Sequence, residues 1–286
     1  MKKKTSFSTK GQRADIGDLT IYRVLPNRYT DAIGPFVFLD HIVPKFHPEV
    51  MNSGTGAHPH RGIATLSYIL EGENEHFDSI GNYAKVHSGG IQWMKAGNGI
   101  IHDETLNVDS QARTQQTHAF QFWINLPSKN KAERPNYMSV QSSEVPKMDL
   151  PNHAGRIKVI LGNYENLHAA IPNYSEQFLF HIELETEKEF TIFIDEDIEV
   201  AAFMPTKSAL LNDIEYQAGE FIEFDRIAGE IMIKNKLQET INIILFGGER
   251  YTEPIVAEGP FVMNSHAEIV EAYRDFYNGR YGKINY

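Results

Sequence analysis

The sequence contains no cysteine. That absence excludes a disulfide framework, cysteine-ligated zinc, iron–sulfur clusters and thiol catalysis, and it leaves the chain indifferent to redox poise. No apolar run approaches the 18 residues that a membrane-spanning helix needs. Positive charge is also scarce. There are 27 Lys and Arg against 38 Asp and Glu, a net charge of −11, whereas chains that track phosphates are usually basic. Neither nucleic acid nor membrane is therefore an expected partner. Lys2, Lys3 and Lys4 resemble the charged start of a secretory leader, but Thr5-Ser6-Phe7-Ser8-Thr9-Lys10 stands where its apolar segment should be. The first residues read as a frayed polar tail, and the protein as cytoplasmic. There is no G-x-S-x-G nucleophile elbow, and Gly247-Gly248 lacks the downstream pattern of a phosphate cradle.

The 286 residues suit one large or two ordinary domains. The first half reads as short strands between turns. Pro35–Leu39, Thr65–Leu70, Ile91–Met94 and His118–Ile124 are compact apolar runs, and Glu71-Gly72-Glu73 has hairpin chemistry. From Pro127 to Gly155 the composition turns polar and Pro-bearing, which places an interdomain region there with a boundary near residue 145. Strand patterns then resume. Alternation from Phe180 onward predicts a half-buried strand, and the acidic stretch Glu183–Glu199 reads as a solvated sheet face rather than a cation site. At the C-terminus Ser265 and Glu268 form a capping box, Ile269, Val270, Tyr273, Phe276 and Tyr277 follow at helical spacing, and Gly279 is a natural stop. The pattern is all-β, two successive antiparallel sandwiches or barrels, with one short C-terminal helix.

Histidine is unevenly placed: eight of the 12 lie before residue 119. His58-Pro59-His60 is the only H-x-H. On an extended chain residues i and i+2 share a face, so two imidazoles can reach one metal at about 2.0–2.2 Å. Chance placement of 12 His already yields about 0.5 such pairs. A second pair, His102 and Glu104, repeats the spacing after the permissive turn Gly97-Asn98-Gly99. The 41 intervening residues are enough for strands that fold back and face one pair against the other. Three His and one Glu would leave two positions of an octahedron open, close to the logic of non-haem iron oxygenases. The bland alternative makes His102 and Glu104 surface loop residues. Asp40 and His41 are candidates for a pocket wall, with a structural histidine the plainer reading.

The stretch HPHRGIATLSYILEGENEHFDSIGN, followed by GGIQWMKAGNGIIHDE, closely resembles the pirin family of the cupin superfamily, as do LDHIVP, QFWINLP, FGGERYTEPIVAEGPFVMNS and the terminal NGRYG. The resemblance covers most of the chain. It implies a bicupin of two β-barrels, residues 1–145 binding the metal and residues 146–286 lacking ligands. It implies His58, His60, His102 and Glu104 as the ligand set, Fe(II) as the resident ion, with other divalent transition metals as alternatives, and quercetin 2,3-dioxygenase activity on flavonol-type aromatics with O2. The family's other role, a non-enzymatic regulatory protein that answers to metal redox state, is the alternative function. A monomer is expected. Where the general cupin pattern places a Glu four residues after the second His, this chain has Ala64. Glu104 is then the one acid tied to the metal, and so the expected base for the substrate hydroxyl.

Overall fold

The computed structural model describes residues 1–47, 54–112 and 115–286. The chain forms two compact units that are not consecutive halves. One comprises Arg13–Tyr22, Val37–Glu144 and Thr252–Tyr286; the other comprises Met1–Gln12, Arg23–Phe36 and Val145–Tyr251. One junction between segments of the two units lies at Glu144 and Val145. The expected division into 1–145 and 146–286 nonetheless leaves each unit without the terminal segment that completes it.

In the first unit the central strand is Ile63–Glu71, flanked by Ile91–Lys95 and Gln116–Asn125. Its run of Ile, Leu and Tyr is buried on both faces, as expected of a strand with sheet neighbours on both sides. Asn136–Val140 adds an edge strand beside Ile91–Lys95. This strand lies inside the stretch read as an interdomain region; five residues with only three apolar side chains carry too little pattern to be seen. A second sheet runs in the order His58–His60, Ile100–Asn107, Glu73–Asp78, Tyr83–Val86. Ile100–Asn107 alternates strictly between buried and half-buried positions, with Ile100, His102, Glu104 and Leu106 on the inner face.

The other unit repeats the plan. Thr5–Lys10, Glu220–Phe224, Ile198–Phe203, Ile241–Glu249, Gln177–Leu184, Gly155–Leu161 and Lys147–Asp149 form one sheet, and Glu189–Ile194, Gly229–Lys234, Ala209–Leu211 and Ile214–Tyr216 form the second. A shared apolar core that includes Ile157, Ile182, Ile222, Ile231 and Ile243 packs between them. The polar tail is thus a paired strand, and Lys3 is buried, its Nζ donating to the Ile227 carbonyl at 2.7 Å. Gln177–Leu184 is buried on nearly both faces rather than on one, because it is central. Glu189–Ile194 keeps the expected alternation, with Glu189, Thr191 and Phe193 exposed.

The helix spans His266–Tyr277 and starts as expected: Ser265 accepts from the Glu268 amide, and the Glu268 carboxylate accepts from the Asn264 amide. Its buried stripe differs. Ile269 and Ala272 pack with Phe261, Met263 and Tyr281, whereas Val270 and Tyr277 are 68% and 79% exposed. Asp275 completes the stripe because Arg61 and Arg280 each donate to it at 2.9 Å. A carboxylate was invisible to a search for apolar spacing. Among the described residues no helix is long and apolar enough to cross a membrane.

Candidate metal centre

The short strand His58–His60 pairs antiparallel with Ile100–Asn107, so that His102 lies opposite His58 and Ile100 opposite His60. The turn feeding the second strand needs glycine: at Gly99, φ +125°, a Cβ would come within 2.1 Å of the Tyr281 ring. This register puts the imidazoles of His58, His60 and His102 together, one nitrogen from each within 4.8 Å of the others. His58 Nε2 and His102 Nε2 are 3.0 Å apart, about the spacing of two donors at right angles on an ion ~2.1 Å from each.

The outer nitrogens are already engaged. His58 Nδ1 donates to the Gly56 carbonyl at 2.7 Å and His60 Nδ1 to the Pro260 carbonyl at 3.1 Å. A carbonyl can only accept, so both Nε2 atoms are left bare, the tautomer a metal requires. His60 Nε2 is buried and has no hydrogen-bond partner. Burial, with the His58 charge second, brings the His60 pKa down to about 3, and burial together with His60, His58 and His76 holds His102 well below its ordinary value. His60 and His102 are therefore neutral near pH 7. An orphaned, neutral, buried nitrogen beside two more is a donor set that fits a divalent transition metal.

Glu104 follows His102 on the same inner face. Its carboxylate accepts from Gln121 Nε2 at 3.0 Å, from Ser67 Oγ at 3.4 Å and from Asn74 Nδ2 at 3.5 Å. Glu104 groups with His102 and with a residue the sequence reading passed over, His76. His76 stands opposite Glu104 in the ladder, and Asp78 opposite His102. Burial works against protonation of His76, but its hydrogen bond to Asp78 and the nearby carboxylate charges of Glu104 and Asp78 raise its pKa. The signal for these residues was the alternation Asn74, His76, Asp78 in one strand, three polar side chains on one buried face.

Glu104 also lines a pocket whose walls are Leu19, Ile42, Ile69, Leu106 and Phe120, with Ser67, Asn74 and Gln121 as polar points. Asp40 reaches this wall, as expected. His41 follows the plainer reading of a structural histidine: it lies buried within Phe36–Phe46, with its Nε2 2.9 Å from His118 Nε2. Ala64 is buried on the opposite face of its strand from Ser67, so a side chain there is directed away from Glu104. Asp103 alternates outward and accepts from Tyr286 Oη at 2.8 Å. A third group, Glu73, His87 and Asp109, is already satisfied by Lys85 at 2.8 Å and by the hydroxyls of Ser88 and Ser110.

Residues 18–124 match the model of the family described as Pirin, and residues 179–282 that of the Pirin C-terminal cupin domain. A rat protein named Pirin is 33% identical over 79% of this chain and 76% of its own length. The crystal structure of a quercetin 2,3-dioxygenase from Acinetobacter baumannii superposes with a TM-score of 0.90 at 28% identity, covering 100% of both chains. A bacterial pirin from Escherichia coli, solved in complex with nickel(II), shares the fold at 21% identity, with a TM-score of 0.65 over 86% of this chain and 99% of that one.

Proposed function

Because the chain belongs to the pirin family, we propose that it is a mononuclear metal-dependent dioxygenase that opens the ring of flavonol-type aromatics, with Fe(II) as its resident ion. The observation that carries this reading is the position of Glu104, which shares the inner strand face with His102 and also lines an apolar pocket. His58, His60, His102 and Glu104 would hold the ion. When bound, it supplies a Lewis acid that lowers the pKa of a substrate hydroxyl and a meeting point for that substrate and O2.

The protein's own part follows from the pocket. Ile42, Ile69, Leu106 and Phe120 offer an aromatic ring a dry wall and keep water from the reacting atoms. Glu104 accepts the hydroxyl proton. Gln121, Ser67 and Asn74, each donating to Glu104, hold the carboxylate at the angle from which it does so. The test is anaerobic loading with Fe(II), then O2 consumption and carbon monoxide release with quercetin. If protein loaded in turn with Fe(II), Ni(II) and Mn(II) consumes no O2 with any flavonol, the reading fails and the non-enzymatic regulatory role takes its place.

A further inference from the structure

The Ile100–Asn107 strand has a neighbour on each side. On one side His102 faces His58; on the other His102 faces Asp78 and Glu104 faces His76. Neighbouring strands lie about 4.8 Å apart, so His58 and His76 are roughly two strand spacings from each other, with His102 between. Ring centroids agree: His58 is 4.4 Å from His102, and His76 is 5.5 Å from it. His76 therefore flanks the three-imidazole cluster from the far side, beside the carboxylate.

Its ring is firmly placed. Nε2 is 3.3 Å from Asp78 Oδ2, and the Tyr137 ring stacks on the imidazole at 4.2 Å and 16°. Asp78 is itself fixed, accepting from the Ile80 amide at 3.1 Å, the Asn82 amide at 2.9 Å and Asn82 Nδ2 at 2.8 Å. The other nitrogen, Nδ1, is buried, makes no hydrogen bond and lies 3.7 Å from Glu104 Oε1. A buried polar atom without a partner costs free energy, and a carboxylate that moves a few tenths of an ångström on metal binding can become that partner.

We propose that His76, braced by Asp78, is a positioning residue that fixes the Glu104 carboxylate from the side away from His58 and His60, leaving one carboxylate oxygen for the metal. The inference rests on Glu104 being a ligand. Partners of this kind are typically worth 10–100-fold in metal affinity.

The experiment is a double-mutant cycle with Co(II) as probe. Metal-free parent, His76→Ala, Glu104→Ala and the double variant are titrated against a chromophoric chelator, and the visible bands of the Co(II) forms are recorded. His76→Ala is expected to weaken Co(II) binding about 10–100-fold and to shift the bands. In the Glu104→Ala background the same change is expected to cost less than about threefold, since a residue acting through Glu104 has nothing left to hold. Unchanged affinity and bands in His76→Ala overturn the proposal. So does a loss of full size in the Glu104→Ala background, which marks an imidazole that binds the ion directly. If Glu104→Ala itself binds Co(II) like the parent, the ligand assignment falls and this inference with it. Should His76→Ala fail to fold by circular dichroism, His76→Gln, which keeps the bulk, is read in its place by the same criteria.

Discussion

Glu104→Gln removes one negative charge and one proton acceptor while barely changing shape. The carboxylate accepts from Gln121 at 3.0 Å, Ser67 at 3.4 Å and Asn74 at 3.5 Å. An amide keeps one accepting oxygen, so one donor must turn. Ser67 can rotate its hydroxyl, and Gln121 or Asn74 can flip its amide. The cost to the fold is therefore that of about one hydrogen bond, ~0.5–1.5 kcal/mol. The kinetic cost is larger. General-base assistance is worth about 10²–10⁴-fold, which at 1.36 kcal/mol per decade is roughly 2.7–5.4 kcal/mol of barrier. An amide oxygen is also a poorer ligand than a carboxylate, so rate must be divided by bound metal. Elemental analysis of the variant, followed by O2 consumption with quercetin in the same preparation, gives that ratio. A metal-normalised rate within a few-fold of the parent would refute the base assignment and leave Glu104 as a ligand alone.

Among the described residues, every grouped set of candidate ligands lies between residues 58 and 109, so one tightly held ion per chain is expected, lost in His58→Ala or His102→Ala with the circular dichroism unchanged; elemental analysis finding two tight ions, or full occupancy in both variants, contradicts this. Lys131 Nζ donates to the carbonyls of Gly62 and Val262 at 2.8 Å each and to Asn125 Oδ1, so Lys131→Met strands three acceptors and is expected to cost about 3 kcal/mol or more; a urea titration showing less than about 1 kcal/mol would refute it. Burial, then the His118 charge, lowers the His41 pKa to about 3. The unfolded chain takes up that proton near pH 6.5 and the folded one does not, so the stability is present above pH 6.5 and is lost as pH falls toward 3, by about 1.4 kcal/mol per pH unit. His41→Gln should remove that increment from the pH slope of unfolding, and an identical slope in parent and variant would count against it.

Many strands were legible as compact apolar runs between turns, and the three clustered imidazoles through their i, i+2 spacing. Ile100–Asn107 alternates in burial though not in polarity, and i, i+2 spacing brought His58 with His60 and His102 with Glu104 onto shared faces. What escaped has physical causes. Thr5–Lys10 carries one apolar residue, Phe7, and is a strand only because Glu220–Phe224 offers it an edge; no local pattern announces a partner more than 200 residues away. The helix buries Asp275, which is stable inside only through Arg61 and Arg280, so an apolar stripe drawn through Val270 and Tyr277 pointed the wrong way. His76 and Asp78 have the same i, i+2 spacing as His102 and Glu104, but polar alternation alone does not distinguish a buried face from a solvated one. Gln121, on another sheet, has no local mark at all.

The hydrogen bond from His60 Nδ1 to the Pro260 carbonyl spans 200 residues of sequence, and the residues between them include Val145–Tyr251, the longest segment of the other unit. Chains leave the ribosome at about 5–20 residues per second, so on the order of 10–40 seconds of synthesis separate the imidazole from its acceptor. Through that interval the His58, His60 and His102 side chains exist in a nascent chain whose tautomers are not yet set, and Arg61 and Lys131 wait as well for Asp275 and Val262. The segment Thr252–Tyr286 thus supplies the acceptors that orient His60, Arg61 and Lys131, and the surroundings of the three imidazoles stay incomplete until that segment has been made.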